Sequence, residues 1–145
     1  MCYTELSVKC NFTVLKGGSH PEEYAHRAIS LGLESCAITD ENSVSGIVRA
    51  HSELKKIKST IANKNANGLV DTRLIPGTEI NSYEGLVITA LAKNRIGWAN
   101  ICRLLTQGKS KEKKGSCKIT INDILTYGNQ IKHWLHLSKK HDRKK

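Results

Sequence analysis

Three carboxylates are the residues best placed to do chemistry. Asp40 and Glu41 follow the apolar run Cys36-Ala37-Ile38-Thr39, and Glu79 follows a Pro76-Gly77 pair. In α/β folds, reactive groups gather at the C-terminal ends of strands. Carboxylates there can hold hard cations, or they can hydrogen-bond the loops that leave the strands. Other candidates are weaker. His133 and His136 would share a face on a helix, with His141 five residues on, but no acidic or thiol partner stands near them. Scattered histidines in a basic segment are the favoured reading. Lys109, Lys111, Lys113 and Lys114 can touch phosphates, although a solvated loop explains them as well. His51 falls on a helix face and reads as a packing or hydrogen-bonding residue. Phosphate-binding Gly-Lys loops, nucleophile elbows and His-Glu-x-x-His motifs are absent from the sequence.

The elements that must position these groups follow from periodicity and punctuation. Tyr3 to Val8 and Thr13 to Leu15 read as extended, with Gly17-Gly18 breaking the chain after them. Ser19 and Glu22 form a capping-box pair around Pro21, opening a helix whose apolar face is Tyr24, Ala25, Ala28, Ile29 and Leu31. Gly32 ends it. Cys36 to Thr39 is a strand, and a second helix from about Ser43 presents Ile47, Ala50, Leu54, Ile57 and Ile61. Asn63 to Asp71 is a polar loop. Leu74-Ile75 and Glu79-Ile80 flank a Pro76-Gly77 turn. The apolar run Leu86 to Ala92 predicts a parallel strand covered on both faces. Asn94 caps a third helix that Gly108 stops. Strands alternating with helices predict an α/β domain of parallel strands.

The 145 residues suit one domain. Charge is uneven: residues 1–108 hold 12 Lys/Arg against 10 Asp/Glu, and residues 109–145 hold 11 against 3. A nearly neutral body with a basic end favours polyanions through that end. Five cysteines (Cys2, Cys10, Cys36, Cys102, Cys117) lack Cys-x-x-Cys spacing and read as buried thiols. The longest mainly apolar run, Leu86 to Ala92, is far short of the roughly 20 residues that span a bilayer. The opening residues show no secretory pattern, so the Asn11-Phe12-Thr13 glycosylation match is accidental and a cytoplasmic protein is expected.

Five segments, in order, resemble the opening of the bacterial error-prone C-family DNA polymerases, of the DNA polymerase III alpha-subunit type. They are Glu5-Leu6 with Asn11 to Glu23, Ala37 to His51, Pro76 to Ile80, Leu91 to Arg95 with Gly97, Asn100 and Leu104 to Thr106, and Lys114 to Ser116 with Ile119 to Leu125. The resemblance implies a PHP domain, a distorted seven-stranded β/α barrel. In active members, His, Asp and Glu cluster around metal ions and hydrolyse phosphoesters. Carried over residue by residue, the ligand set is degenerate. The His-x-His pair corresponds to Ser7 and Lys9, the first acidic ligand to Lys16, and later histidines to Glu41 and Gly85. Asp40 and Glu79 are the surviving carboxylates. A lysine about 4 Å from a cation would repel it by several kcal/mol even with protein-like screening, so a metal-free site without cofactor or catalytic residue is expected.

The expected organisation is a partial, truncated PHP barrel over 1–125 and a basic tail over 126–145 without family resemblance. The connection Lys58 to Arg73 is longer than the family pattern suggests. The polymerase palm, which holds Mg2+ in the full-length family, lies outside the segment, so the chain alone should not synthesise DNA. The expected function is the N-terminal fragment of an error-prone DNA-directed DNA polymerase. Its full-length family performs damage-tolerant, translesion synthesis, with DNA and other replication or lesion-bypass proteins as partners and no membrane. The alternatives are a free-standing PHP metal-dependent phosphoesterase and a non-catalytic basic module that binds nucleic acid or a partner. A half barrel leaves the Leu86–Ala92 strand with an open edge that a basic tail cannot cover. Marginal stability and self-association are expected from that.

Overall fold

The computed structural model describes residues 3–63, 71–110 and 112–136. In chain order they form β1 (Thr4–Val8), α1 (Pro21–Ser30), β2 (Ser35–Ile38), α2 (Ser45–Asn63), β3 (Arg73–Asn81), β4 (Val87–Ala92), α3 (Arg95–Ser110), α4 (Ile121–Tyr127) and β5 (Ile131–His136). The five strands make one sheet in the order β1-β2-β3-β4-β5. The α/β reading holds, but the sheet is mixed rather than parallel.

Connection length explains the mixture. Helical crossovers separate β1 from β2 and β2 from β3, and both pairs are parallel. Only residues 82–86 separate β3 from β4, and so short a link permits only an antiparallel pair. β4 is antiparallel to β5 as well. The prediction of a parallel strand over Leu86–Ala92 is therefore corrected: its apolar content reflects a central, buried strand, not its direction.

Pro76-Gly77 is also not a turn. Both lie inside β3, at the point where its partner changes. Arg73 to Pro76 pair with β2, and Gly77 to Asn81 pair with β4. Proline is tolerated where one ladder ends because no N–H is required on that side. Thr13 to Leu15 are a turn and not extended: Gly17 donates its N–H to the Thr13 carbonyl at 3.0 Å, and Leu15 has φ 65°. The α1 cap is shifted by one residue, from Ser19 to His20, whose N–H is accepted by Glu23 Oε2 at 3.1 Å. Gly32 closes that helix as expected, with φ 66° and its N–H bonded to the Ile29 carbonyl. Asn94 caps α3 through the Gly97 N–H at 3.0 Å. The helix continues past Gly108, which is buried against Ile119, to Ser110.

Three packed regions result among the described residues, one of them joining Cys10 and Ile38 to Ile47 and Ala50 of α2. Ala25 and Ile29 of α1 meet Leu54 of α2 beside the parallel half. A larger core joins Ile80, Ile88, Ala90 and Ile131 of the antiparallel half to Ile101, Leu104 and Leu105 of α3, with Ile119 and Ile124. Residues expected to be a detached tail take part in this. Thr126 and Tyr127 finish α4, and β5 pairs with β4 from Val87–His136 to Ala92–Ile131. The approach to β5 is pinned to α3 and to the link before it: Asn100 Nδ2 donates to the Asn129 carbonyl at 2.9 Å, and Lys93 N–H, between β4 and α3, to the Gln130 carbonyl at 3.1 Å. The edge of β4 expected to lie open is covered by this strand, which removes the basis for expecting self-association there. Residues 137–145 lie outside the described residues, as do 64–70 of the predicted Asn63–Asp71 loop.

Replacing Ile131, only 7% exposed, with alanine should cost about 3 kcal/mol in urea unfolding, the usual loss for a buried Ile. A change below about 0.5 kcal/mol, typical of an exposed site, would show that β5 is not part of the core.

Candidate functional site at the ends of the parallel strands

The backbone beyond β2 is stitched to both neighbours. Thr39 N–H donates to the Val8 carbonyl at 2.8 Å, Glu79 N–H to the Asp40 carbonyl at 3.1 Å, and Asn42 N–H to the Glu79 carbonyl at 2.7 Å. Asn42 turns the chain with φ 47°, a region asparagine enters more readily than most residues. The Asp40–Asn42 stretch is therefore presented rigidly between the ends of β1 and β3.

Asp40 points inward and has no exposed surface. Its Oδ1 accepts from Cys10 N–H at 2.8 Å and from Thr13 Oγ1 at 2.8 Å. Its Oδ2 accepts from Cys10 Sγ at 2.7 Å. Burial, and then the Asp40 hydrogen bond, push the Cys10 thiol up to about 12, so it keeps its proton and remains a donor. Gly46 closes over this group, because a Cβ there would stand 2.6 Å from both Asp40 Oδ2 and Cys10 Sγ.

Two lysines meet the other carboxylates. Lys9 Nζ lies 2.7 Å from Glu79 Oε2, with the side chains 27% and 10% exposed. Lys16 Nζ pairs with Glu41 Oε2 in a more exposed setting, and Asn81 Nδ2 donates to Glu41 Oε1. Lys9 and Lys16 thus meet Glu79 and Glu41 beside the buried Asp40. Ser7 is exposed on β1, its N–H bonded to Glu5 Oε1 at 3.0 Å. Gly85 lies in the β3–β4 turn with φ 90°, a conformation a histidine would adopt only under strain. Cys10, Thr13 and Asn81 are members of the cluster that sequence reading missed. Their only signal was proximity to the strand ends.

The metal ions implied by the resemblance do not fit these residues. Asp40 is enclosed by three donors, and Glu79 and Glu41 each hold an ammonium group. Among the described residues, no three His, Cys, Asp or Glu side chains form a group able to hold an ion. Residues 131–136 are a strand, so the helical spacing considered for His133 and His136 does not apply, and His141 lies outside the described residues.

Lys109, Lys113 and Lys114 line a cleft of about 580 Å³ with Phe12, Val14 and Glu41, so the structure sets them beside the strand-end cluster. Lys111 lies outside the described residues. His51 is exposed on α2 and lines a different groove. Among the cysteines, Cys10 and Cys36 are buried, Cys102 and Cys117 are half-buried, and Cys2 is outside the described residues. No helix among the described residues is long and apolar enough to cross a membrane.

A family model described as the PHP domain matches residues 5–141, running past Leu125. The error-prone DNA polymerase of Rhodopseudomonas palustris strain BisB5 is 37% identical over 130 residues, which is 89% of this chain and 11% of the relative. That of Dechloromonas aromatica is 38% identical over 122 residues, 84% of this chain and 11% of the relative. A solved structure of a proposed metal-dependent phosphoesterase from Bifidobacterium adolescentis has a TM-score of 0.48 at 17% identity, covering 88% of this chain and 43% of that one. The chain spans about a tenth of the length of the curated relatives it matches.

Substitution separates the buried member of the cluster from the exposed one. Asp40→Asn presents an amide donor to groups that already donate and should cost about 3 kcal/mol in thermal or urea unfolding. Lys16→Ala removes an exposed ion pair and should cost under about 1 kcal/mol. Equal losses would mean that Asp40 does not tie the strand ends together.

Proposed function

The chain belongs to the PHP domain family, and from that membership we propose that it is the N-terminal PHP segment of an error-prone DNA polymerase whose strand-end site works without metal. The similarity to error-prone polymerases over 89% of the chain supports the first part. The Lys9–Glu79 ion pair is the observation that supports the second. An ammonium group 2.7 Å from a carboxylate occupies the space and the charge that a cation would take. Ser7, Lys9, Lys16, Glu41 and Gly85 stand at ligand positions of the family, and of these only Glu41 is an effective metal donor. A free-standing phosphoesterase is disfavoured on the same ground.

In this reading the segment is a structural unit, and the polymerase as a whole performs damage-tolerant synthesis in the cytoplasm. DNA is its substrate partner, joined by other replication or lesion-bypass proteins. Mg2+ belongs to the polymerase palm, beyond this segment. Lys109, Lys111, Lys113 and Lys114 supply the sequence-independent contact with nucleic-acid phosphates, and the cleft that Lys109, Lys113 and Lys114 line beside Phe12 supports that role.

Metal analysis of the purified chain, with assays of phosphodiester hydrolysis and primer extension, tests the reading. Neither stoichiometric metal nor either activity is expected. Two or three bound zinc or manganese ions, with hydrolysis abolished by Glu79→Gln, would overturn it.

A further inference from the structure

β3 and β4 separate sharply after Gly77–Leu91, the last residue pair of their ladder toward the β3 N-terminus. Continued register would set Pro76 opposite Ala92 and Leu74 opposite Asn94. Instead, Arg73 to Pro76 pair only with β2, and beyond Leu91 the β4 chain keeps only its β5 partner, Ile131 opposite Ala92. A groove of about 540 Å³ occupies the resulting wedge between β3 and the Ala92–Arg95 segment. α2 forms one wall with Ile47 and Val48, and Trp98 of α3 the other.

The groove has two chemical features. One is an open strand edge. Arg73 donates its N–H to the Glu34 carbonyl. By strand alternation, the Leu74 N–H and C=O face away from β2, toward the wedge. Pro76 offers only its carbonyl there. The other feature is charge of one sign. Arg73, Lys93 and Arg95 line the groove, and no acidic residue does. Lys93 and Arg95 form no ion pair with a described acidic side chain, while Arg73 adds to the pull of Lys58 on the Asp71 carboxyl. The α2 wall beside them is apolar, with Val48 63% exposed.

We propose that this wedge is a docking site for an extended acidic peptide segment of a partner protein, which adds as a short strand along Arg73–Pro76. Alternating apolar side chains of the segment fill the space between Val48 and Trp98, and its acidic residues meet the basic rim. Backbone hydrogen bonds to Leu74 give affinity, and charge gives the choice of partner. This site is separate from the strand-end cluster and does not depend on the reading of that cluster.

The test uses the whole chain and a labelled, acetylated peptide, Asp-Leu-Asp-Ile-Glu-Leu-Asp, followed by fluorescence anisotropy. Its Lys-Leu-Lys-Ile-Lys-Leu-Lys counterpart and an oligothymidylate serve as controls. Saturable binding of the acidic peptide alone is expected, weakening as salt rises. Val48→Asp and Arg95→Glu, both at exposed positions, should each weaken it tenfold or more, while Lys118→Glu outside the groove leaves it within twofold. Unchanged thermal unfolding establishes that each variant is folded. Hydrogen exchange at the Leu74 amide should slow on binding. Absence of binding, equal binding of the basic peptide, or binding indifferent to Val48→Asp and Arg95→Glu overturns the proposal. Preferred binding of the oligothymidylate through the same residues assigns the groove to nucleic acid and overturns it too. Peptide binding without protection of Leu74 overturns the strand addition.

Discussion

The buried Asp40 carboxylate is the constraint on which the parallel half of the molecule depends. A charge without solvent contact is costly unless donors surround it, and the donors come from one short segment. Cys10 supplies its N–H and its thiol, and Thr13 supplies its hydroxyl. That requirement folds residues 10–17 back as a turn over the end of β2 and explains why Thr13 to Leu15 are not extended. The same turn aims Lys16 at Glu41, while Lys9, just before it, reaches Glu79. Local backbone, buried polar satisfaction and surface charge are therefore coupled through one side chain.

β3 supplies the second organising feature, because it serves two ladders in succession. Its first half belongs to the helix-connected, parallel part, and its second half to a hairpin extended by β5. A strand that changes partner must leave part of each side unpaired. On the β2 side, the bridge between Glu41 and Glu79 continues the contact into the strand-end cluster. On the β4 side nothing follows Gly77, and the wedge opens. One topological choice thus produces a tightly bonded polar site at one end of β3 and an open groove at the other.

Much of this was legible in the sequence, and the failures have physical causes. Helix existence, the Asn94 cap and the Gly32 stop were readable because they rest on local rules of capping and periodicity. The gathering of Asp40, Glu41 and Glu79 was readable because strand ends converge in α/β sheets. Strand direction was not, since an apolar run such as Val87 to Ala92 is compatible with any central strand, and only the five-residue connection from β3 decides it. Pro76-Gly77 carried a turn signal that tertiary pairing overrode. β5 was missed because its polar and basic residues, Lys132, His133 and His136 among them, resemble a tail. Its place depends on Ile131 and on backbone bonds to β4, which no local pattern announces.

The two lysines show how converging carboxylates are neutralised by side chains of the same chain. Carboxylates converging at strand ends repel one another and need positive charge nearby, whether from a bound ion or from side chains. A lysine at the end of a flexible stem supplies that charge without the geometry a metal demands. A cation approaching Glu79 would have to displace the Lys9 ammonium group. Such pairs supply cohesion among the strand ends. The partly buried Lys9–Glu79 pair contributes more to that cohesion than the exposed Lys16–Glu41 pair, because solvent screens the latter.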